Sequence, residues 1–209
     1  MRIAVLGATG ATGRLMVAAA LARDLPVTAL ARDPRRVPAR PGLTVVAADV
    51  HDPESIARAL AGSDVLVSGL GVTPGPGAGT LTAGAKAVVA SGITRVIWLG
   101  ALGTGPSAAA AGWLTRTMLG IILRSELPDK VAADATILAA GGTVFHVGPM
   151  GDGPAAPDAR TVTLDQAPKR LFPGRVSRAT VATAMVAEAE RAQFPGQTVT
   201  LVRNTGSRP

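Results

Sequence analysis

The chain has 209 residues, 47% of them hydrophobic and only 2% aromatic, with a formal net charge of +7 and neither cysteine nor tyrosine. That composition excludes a disulfide framework, a thiolate metal site, a cysteine nucleophile and a phenolic acid, and two histidines, His51 and His146, cannot assemble a metal cluster alone. The arginines are scattered apart from 32–40 and Lys169-Arg170. Nucleic-acid binding wants a dense basic stripe with stacking aromatics, so a basic surface that attracts an anionic cofactor or substrate is the better use of this charge.

The first apolar run ends in Gly7-Ala8-Thr9-Gly10-Ala11-Thr12-Gly13, and an alanine-rich stretch follows. Three glycines spaced three apart between a strand and a helix are what a pyrophosphate needs. The backbone turns tightly and approaches the phosphates, and the helix start offers unpaired N–H groups and a partial positive charge. Gly7, Thr9, Gly10, Ala11, Thr12 and Gly13 are therefore expected to bind a dinucleotide; the alternative, a plain strand-to-helix turn, rarely needs all three glycines.

Along the rest of the chain, strand-length apolar runs alternate with segments of helical period. Strands are predicted at 2–6, 27–31, 43–47, 65–68, 95–99 and 143–147, and helices at 11–23, 53–61, 80–90 and 129–140. The helix at 53 has a clear start, with Asp52 as N-cap, Pro53 in the first turn and Glu54 favourable to the dipole; Gly62 ends it. A short strand at 161–165, a helix at 178–191 capped by Ser177 and a last strand at 197–202 complete the pattern. Right-handed crossovers then give an α/β fold, a Rossmann-type doubly wound parallel sheet, expected as one domain over 1–203 with a flexible tail at 204–209. The Pro- and Gly-rich loops 72–79 and 148–157 follow strands four and six, on the edge where open α/β sheets bind ligands. The most apolar later stretch, 113–123, is broken by Arg116 and too short to span a bilayer. With no basic leader ahead of the first strand, a cytoplasmic protein without membrane contact is expected.

Three positions next to strand ends carry further signals. Arg32 follows strand two, where an NAD enzyme places an acid against the adenosine ribose; an arginine there pairs instead with a 2′-phosphate, unless it merely pairs with Asp33 in a solvated turn. Asp49-Val50 closes strand three, and Asp49 either accepts from the adenine amino group or makes an Asp turn ahead of the Asp52 cap. Gly69 and Gly71 end strand four and would let the backbone pass close to the ribose and nicotinamide. NADP(H) is the cofactor these positions predict.

Five stretches together resemble a known family: Gly7 to Gly13, Ala31-Arg32-Asp33-Pro34, Ala48-Asp49-Val50, the spaced set Lys130, Asp134, Leu138 and Gly141, and Arg175-Val176-Ser177-Arg178. The chain is similar to the atypical short-chain dehydrogenases/reductases, in the NAD(P)H-binding subgroup that includes biliverdin-IXβ reductase (flavin reductase), with NmrA-like relatives. The likeness runs over nearly the whole chain; one departure is Ala48, where the subgroup often has glycine.

The wider family's catalytic pattern is mostly missing. Ala101 stands where its serine would, Lys130 stands where its lysine would, and Glu126 occupies the tyrosine position four residues earlier. The biliverdin-IXβ reductase-like members also lack that tyrosine, and the resemblance implies that bound NADPH delivers hydride while solvent or substrate supplies the proton. Lys130 either contacts the nicotinamide ribose or pairs with Asp134, its i+4 neighbour. Glu126 is either a general acid with a raised pKa or a solvated side chain. His146, mid-strand, reads as a core histidine. Pro149 and Met150 are implied to line the nicotinamide pocket. Trp113 and Met118 fall on the stretch that covers the substrate side in the family, where they either contact a planar, apolar small-molecule substrate or simply pack. The expected function is NADPH-dependent reduction of a planar conjugated molecule such as a flavin, quinone or tetrapyrrole. The alternatives are an NADP-binding sensor without turnover and a non-redox isomerase or epimerase.

Overall fold

Alternate side chains along the central strands pack on opposite faces and divide the molecule into two helical layers around the main sheet. In a computed structural model, which describes residues 1–71, 79–102, 127–168 and 174–203, the chain runs through β1 (Ile3–Leu6), α1 (Ala11–Leu21), β2 (Val27–Ala31), β3 (Leu43–Ala47), α2 (Pro53–Leu60), β4 (Val65–Ser68), α3 (Thr80–Ala90) and β5 (Val96–Ala101). It continues through α4 (Leu127–Ala139), β6 (Thr143–Val147), β7 (Met150–Gly151), β8 (Ala159–Thr163), β9 (Val176–Ser177), α5 (Arg178–Arg191) and β10 (Thr198–Arg203). Every residue of β1, β2, β4 and β6 is buried, as expected for parallel strands covered on both faces. Ile3 and Val5 face the layer of α1 and α5, where Met16, Val17, Met185 and Val186 pack. Ala4 and Leu6 face the opposite layer, with Ile56, Leu81, Val88 and Ile137 from α2, α3 and α4.

The main sheet has the order β3-β2-β1-β4-β5-β6-β10-β8. All pairings are parallel except β10 with β8. The order reverses between β1 and β4, and the carboxyl ends of those two strands mark the place where such sheets open a crevice. The expected Rossmann-type doubly wound sheet is therefore present, with one antiparallel edge strand. β7 and β9 form a separate two-stranded parallel pair.

The helix starts follow the capping residues. Asp52 accepts from Ser55 N at 3.2 Å and Ser177 Oγ accepts from Thr180 N at 3.1 Å, each closing an otherwise open N–H of the first turn. α4 begins at Leu127, two residues before the predicted 129, because Pro128 fits a first helical turn, where no N–H is needed. β8 begins and ends two residues before the predicted 161–165. It pairs with β10 from Ala159 onward, and residues 164–166 turn away instead of extending it. Thr163 and the backbone around Asp165 hydrogen-bond the Asp165 carboxyl and hold its pKa below the usual Asp value. No described helix is long and apolar enough to cross a membrane. The predicted tail 204–209 lies outside the described residues.

Candidate functional site

The glycine turn sits at the switch point, and each glycine has a separate reason to be there. Gly7 has φ +76°, and a Cβ on it would lie 3.0 Å from the Gly69 carbonyl and Leu70 N. A Cβ on Gly13 would overlap the Gly7 carbonyl oxygen and lie 2.8 Å from its carbon. Gly69 in turn packs on Gly13 N and Met16 Sδ, both 3.2 Å from its would-be Cβ. Gly7, Gly13 and Gly69 are thus packed backbone to backbone, which draws α1 tightly against the ends of β1 and β4. Gly10 differs. It is exposed, caps α1 with extended backbone (φ −75°, ψ 163°), and only Gly7 O lies near its would-be Cβ, at 3.3 Å. A side chain there would fill the space in front of the helix N-terminus, which is where a pyrophosphate needs close backbone approach. These residues fit a dinucleotide.

The remaining cofactor-binding candidates spread along the same sheet edge. Arg32 is exposed at the end of β2. Its expected competitor, Asp33, is taken by Arg35, whose Nε and Nη2 donate to Asp33 at 2.9 and 3.1 Å. That guanidinium holds the Asp33 carboxyl below its ordinary pKa, and Arg32 itself makes no side-chain hydrogen bond or ion pair among the described residues. Asp49 accepts from His51 N at 2.9 Å through Oδ1, which is the Asp-turn geometry. Val50 is buried in the core layer of α2 and α3, with Cγ1 3.3 Å from a would-be Cβ on Gly84. Gly71 is exposed, with nothing within 4 Å of its would-be Cβ.

Beyond β4, a cleft of about 300 Å³ opens between the ends of β5, β6 and α4, lined chiefly by apolar groups such as Leu70, Trp98, Leu102 and Val147. Gly71, Ala101, Lys130, Pro149 and Met150 all border it. Met150 also receives the Thr12 hydroxyl at its sulfur, at 4.0 Å, so this end of the cleft joins the glycine turn. Ala101 lies at the end of β5, on the wall of the cleft. Glu126, Trp113 and Met118 lie outside the described residues. A second cavity of about 230 Å³ shares Leu102, Val147 and Gly148 with the first and extends under α5 and β10.

One feature of the cleft escaped the sequence reading. Asp134 does not merely sit one helical turn from Lys130; its Oδ2 meets His146 Nε2 at 3.0 Å, with both side chains almost wholly buried. Gly100 makes room for the pair, since a Cβ there would lie 2.7 Å from His146 Cδ2 and 2.9 Å from Asp134 Oδ2. A histidine among the apolar residues Val144, Phe145 and Val147 was the available signal, and it names no partner. Nearby, Asp129 at the start of α4 accepts from Leu81 N at 3.0 Å and Thr82 N at 2.9 Å. It thereby caps α3, whose own N-cap, Gly79, has no side chain to do so.

A strand-borne glycine turn at the switch point of a doubly wound sheet defines a nucleotide-binding protein of the Rossmann type. A family model for NAD(P)H-binding proteins matches residues 7–192, and the chain belongs to that family. Among solved structures, an oxidoreductase, ylbE, from Lactococcus lactis shares the fold with a TM-score of 0.80 and 18% identity, over 98% of this chain and 91% of that one. ChuY from Escherichia coli O157:H7, described as an anaerobilin reductase, matches over 100% of both chains with a TM-score of 0.78 and 22% identity. A short-chain dehydrogenase/reductase from Veillonella parvula in complex with NADP matches with a TM-score of 0.79 and 18% identity, over 100% of this chain and 96% of that one. The expected NAD(P)H-binding family and with it an NAD(P)H cofactor are borne out, and the solved structures share the expected Rossmann-type fold.

Proposed function

We propose that the chain is an NADPH-dependent reductase of a planar, conjugated small molecule. The observation that carries this reading is the continuity of the site. The open face of Gly10 leads through Thr12 and Met150 into a mostly apolar cleft that has alanine where a catalytic serine would stand, in a chain without tyrosine. In this reading Gly10, Ala11 and Thr12 meet the pyrophosphate, with Gly7 and Gly13 holding the turn and Thr9 beside it. Arg32 meets the adenosine 2′-phosphate, Asp49 and Val50 border the adenine, and Gly69, Gly71, Pro149 and Met150 border the nicotinamide. Bound NADPH supplies the hydride; the chain's share is to bind, orient and exclude water, with Lys130 positioning the ribose and the proton coming from solvent. The ChuY likeness supports a reductase role, and Trp113 and Met118 are proposed to touch the acceptor.

The test is NADPH oxidation by purified protein against flavins, quinones, linear tetrapyrroles and simple ketones. Turnover confined to the conjugated acceptors supports the reading. The missing serine and tyrosine equally favour an NADP-binding sensor, and tight NADPH binding without turnover on any acceptor would select it.

A further inference from the structure

The Asp134–His146 pair is a costly thing to build. Two polar side chains are taken out of water, and such pairs often contribute no more stability than apolar residues of the same size would. Here the pair closes one side of the cleft rather than filling the middle of the core. Asp134 lines the cleft together with Gly100 and Lys130, and His146, fully buried behind it, holds Oδ2. With hydrogen on Nε2 the imidazole donates to the carboxylate and fixes it within walls of low polarity. A charge so placed acts on its neighbours far more strongly than one in water.

We propose that the Asp134 carboxylate, fixed by His146, is an electrostatic element of the cofactor site that favours the oxidised, cationic nicotinamide over the reduced, neutral one. The inference rests on the reading of this cleft as the nicotinamide end of the site. Reduction of the acceptor moves a hydride, two electrons and a proton, from the dihydronicotinamide ring to the acceptor, and a solvent proton completes the product. The ring left behind is a cation, so a nearby buried anion lowers the free energy of the products and of the transition state that leads to them. Lys130, one turn earlier on α4 and in the same cleft, acts with opposite sign and weakens this field.

The experiment is calorimetric titration of the protein with NADP⁺ and, separately, with NADPH, read as the ratio of the two dissociation constants. Asp134→Asn should weaken NADP⁺ relative to NADPH by roughly tenfold or more, the scale of a full charge acting through a poorly screened site. His146→Gln, whose amide nitrogen reaches the position of Nε2, keeps the donor and the charge and should hold the ratio within about twofold of wild type. Lys130→Ala should move the ratio the other way. A purely structural role would weaken both cofactors alike, so an unchanged ratio in a folded Asp134→Asn protein overturns the inference. Should that variant fail to fold, wild type decides: NADP⁺ binding close to or tighter than NADPH upholds the inference, and a tenfold or greater preference for NADPH overturns it. If wild type binds neither cofactor, it is the reading of the site that fails.

Discussion

Gly13→Ala sets two physical effects against each other. Gly13 lies inside α1, where replacing glycine by alanine is worth up to about 1 kcal/mol in favour of the helix. The structure reverses that sign. The new methyl would collide with the Gly7 carbonyl and lie 3.0 Å from Ala8 Cα; these are all backbone atoms, so no rotamer change relieves the clash. Gly7, at φ +76° and packed on Gly69, has no room to retreat. α1 must therefore move, and it carries Met16, Val17 and Ala20 into the core. Overpacking of this kind costs roughly 1–3 kcal/mol; with no soft neighbour we expect a net loss of about 2–3 kcal/mol. In a chain of this length each kcal/mol shifts Tm by about 2–4 °C, so thermal unfolding followed by circular dichroism should show a drop of about 4–12 °C. Gly10→Val is the control. Its extended backbone accepts a branched residue and only Gly7 O is near, so it should melt close to wild type yet lose NADPH binding in a fluorescence titration. A Gly13→Ala protein that melts at or above wild type refutes the steric argument, and a folded Gly10→Val protein with normal NADPH affinity shows that the glycines serve only the turn.

Arg32→Ala should erase a preference of roughly tenfold or more for NADPH over NADH, the worth of one charge-assisted pair to a phosphate; an unchanged preference in cofactor titrations would place the 2′-phosphate elsewhere. Lys130→Ala should slow single-turnover NADPH oxidation only about tenfold, through ribose positioning, and Glu126→Gln should change little, whereas losing a true acid–base group costs roughly 10²–10⁴. A loss on that larger scale in either variant, with a matching pKa in the pH profile, would make it an acid–base enzyme. Burial raises the Asp129 pKa, but hydrogen bonds from Thr82, Leu81 N and Gly79 N outweigh it and leave the carboxyl below its ordinary value of 3.8. A depressed folded value stabilises the protein above the unfolded pKa, and this is lost as pH falls through the folded one. Urea midpoints should therefore fall below about pH 4, and less steeply in Asp129→Asn, which keeps one acceptor for the start of α3, loses the other and should already cost about 1 kcal/mol at neutral pH; parallel pH curves for the two proteins would contradict this.

What the sequence disclosed and what it hid divide along the range of the deciding interaction. β2, β3, β4, β6, α3 and α5 have the predicted bounds because burial on both faces, a cap or a glycine stop decides them within a few residues. The glycine turn was equally legible, since the positive φ of Gly7, the cap at Gly10 and the contact of Gly13 with Gly7 all lie inside one strand-turn-helix unit, although Gly7 also packs on Gly69 of the β4 end. β8 was misplaced by two residues because its register depends on β10, some forty residues later, and not on its own alternation. The β7–β9 pair was missed for the same reason: two residues carry no period. In the site, Lys130 and Asp134 suggested each other by helical spacing, but His146 of β6 holds the carboxylate. Arg32 and Asp33 also suggested each other, yet Arg35, two residues on in the same turn, is the partner of Asp33, a competition between local neighbours. Side chains that reach across elements choose partners by distance in the fold, which spacing along the chain does not contain.

The same scarcity of polar groups that makes the cleft hard to read narrows the chemistry under the reductase reading. Hydride transfer to an isolated ketone leaves charge on one oxygen, and an enzyme must meet that charge with an acid in place. Here the phenol is absent from the chain, Ala101 stands at the end of β5, and the described titratable groups on the cleft wall are Lys130 and a carboxylate already held by His146. A conjugated acceptor escapes the difficulty, because it spreads the added electron pair over a ring system and takes its proton from water afterwards. Apolar walls suit such a ring, since they bury its faces without demanding hydrogen bonds. The missing phenol therefore supports the proposal of an acceptor that needs no such acid, and in a chain with so few aromatics Leu70, Leu102, Val147 and Met150 are the surfaces proposed to hold it.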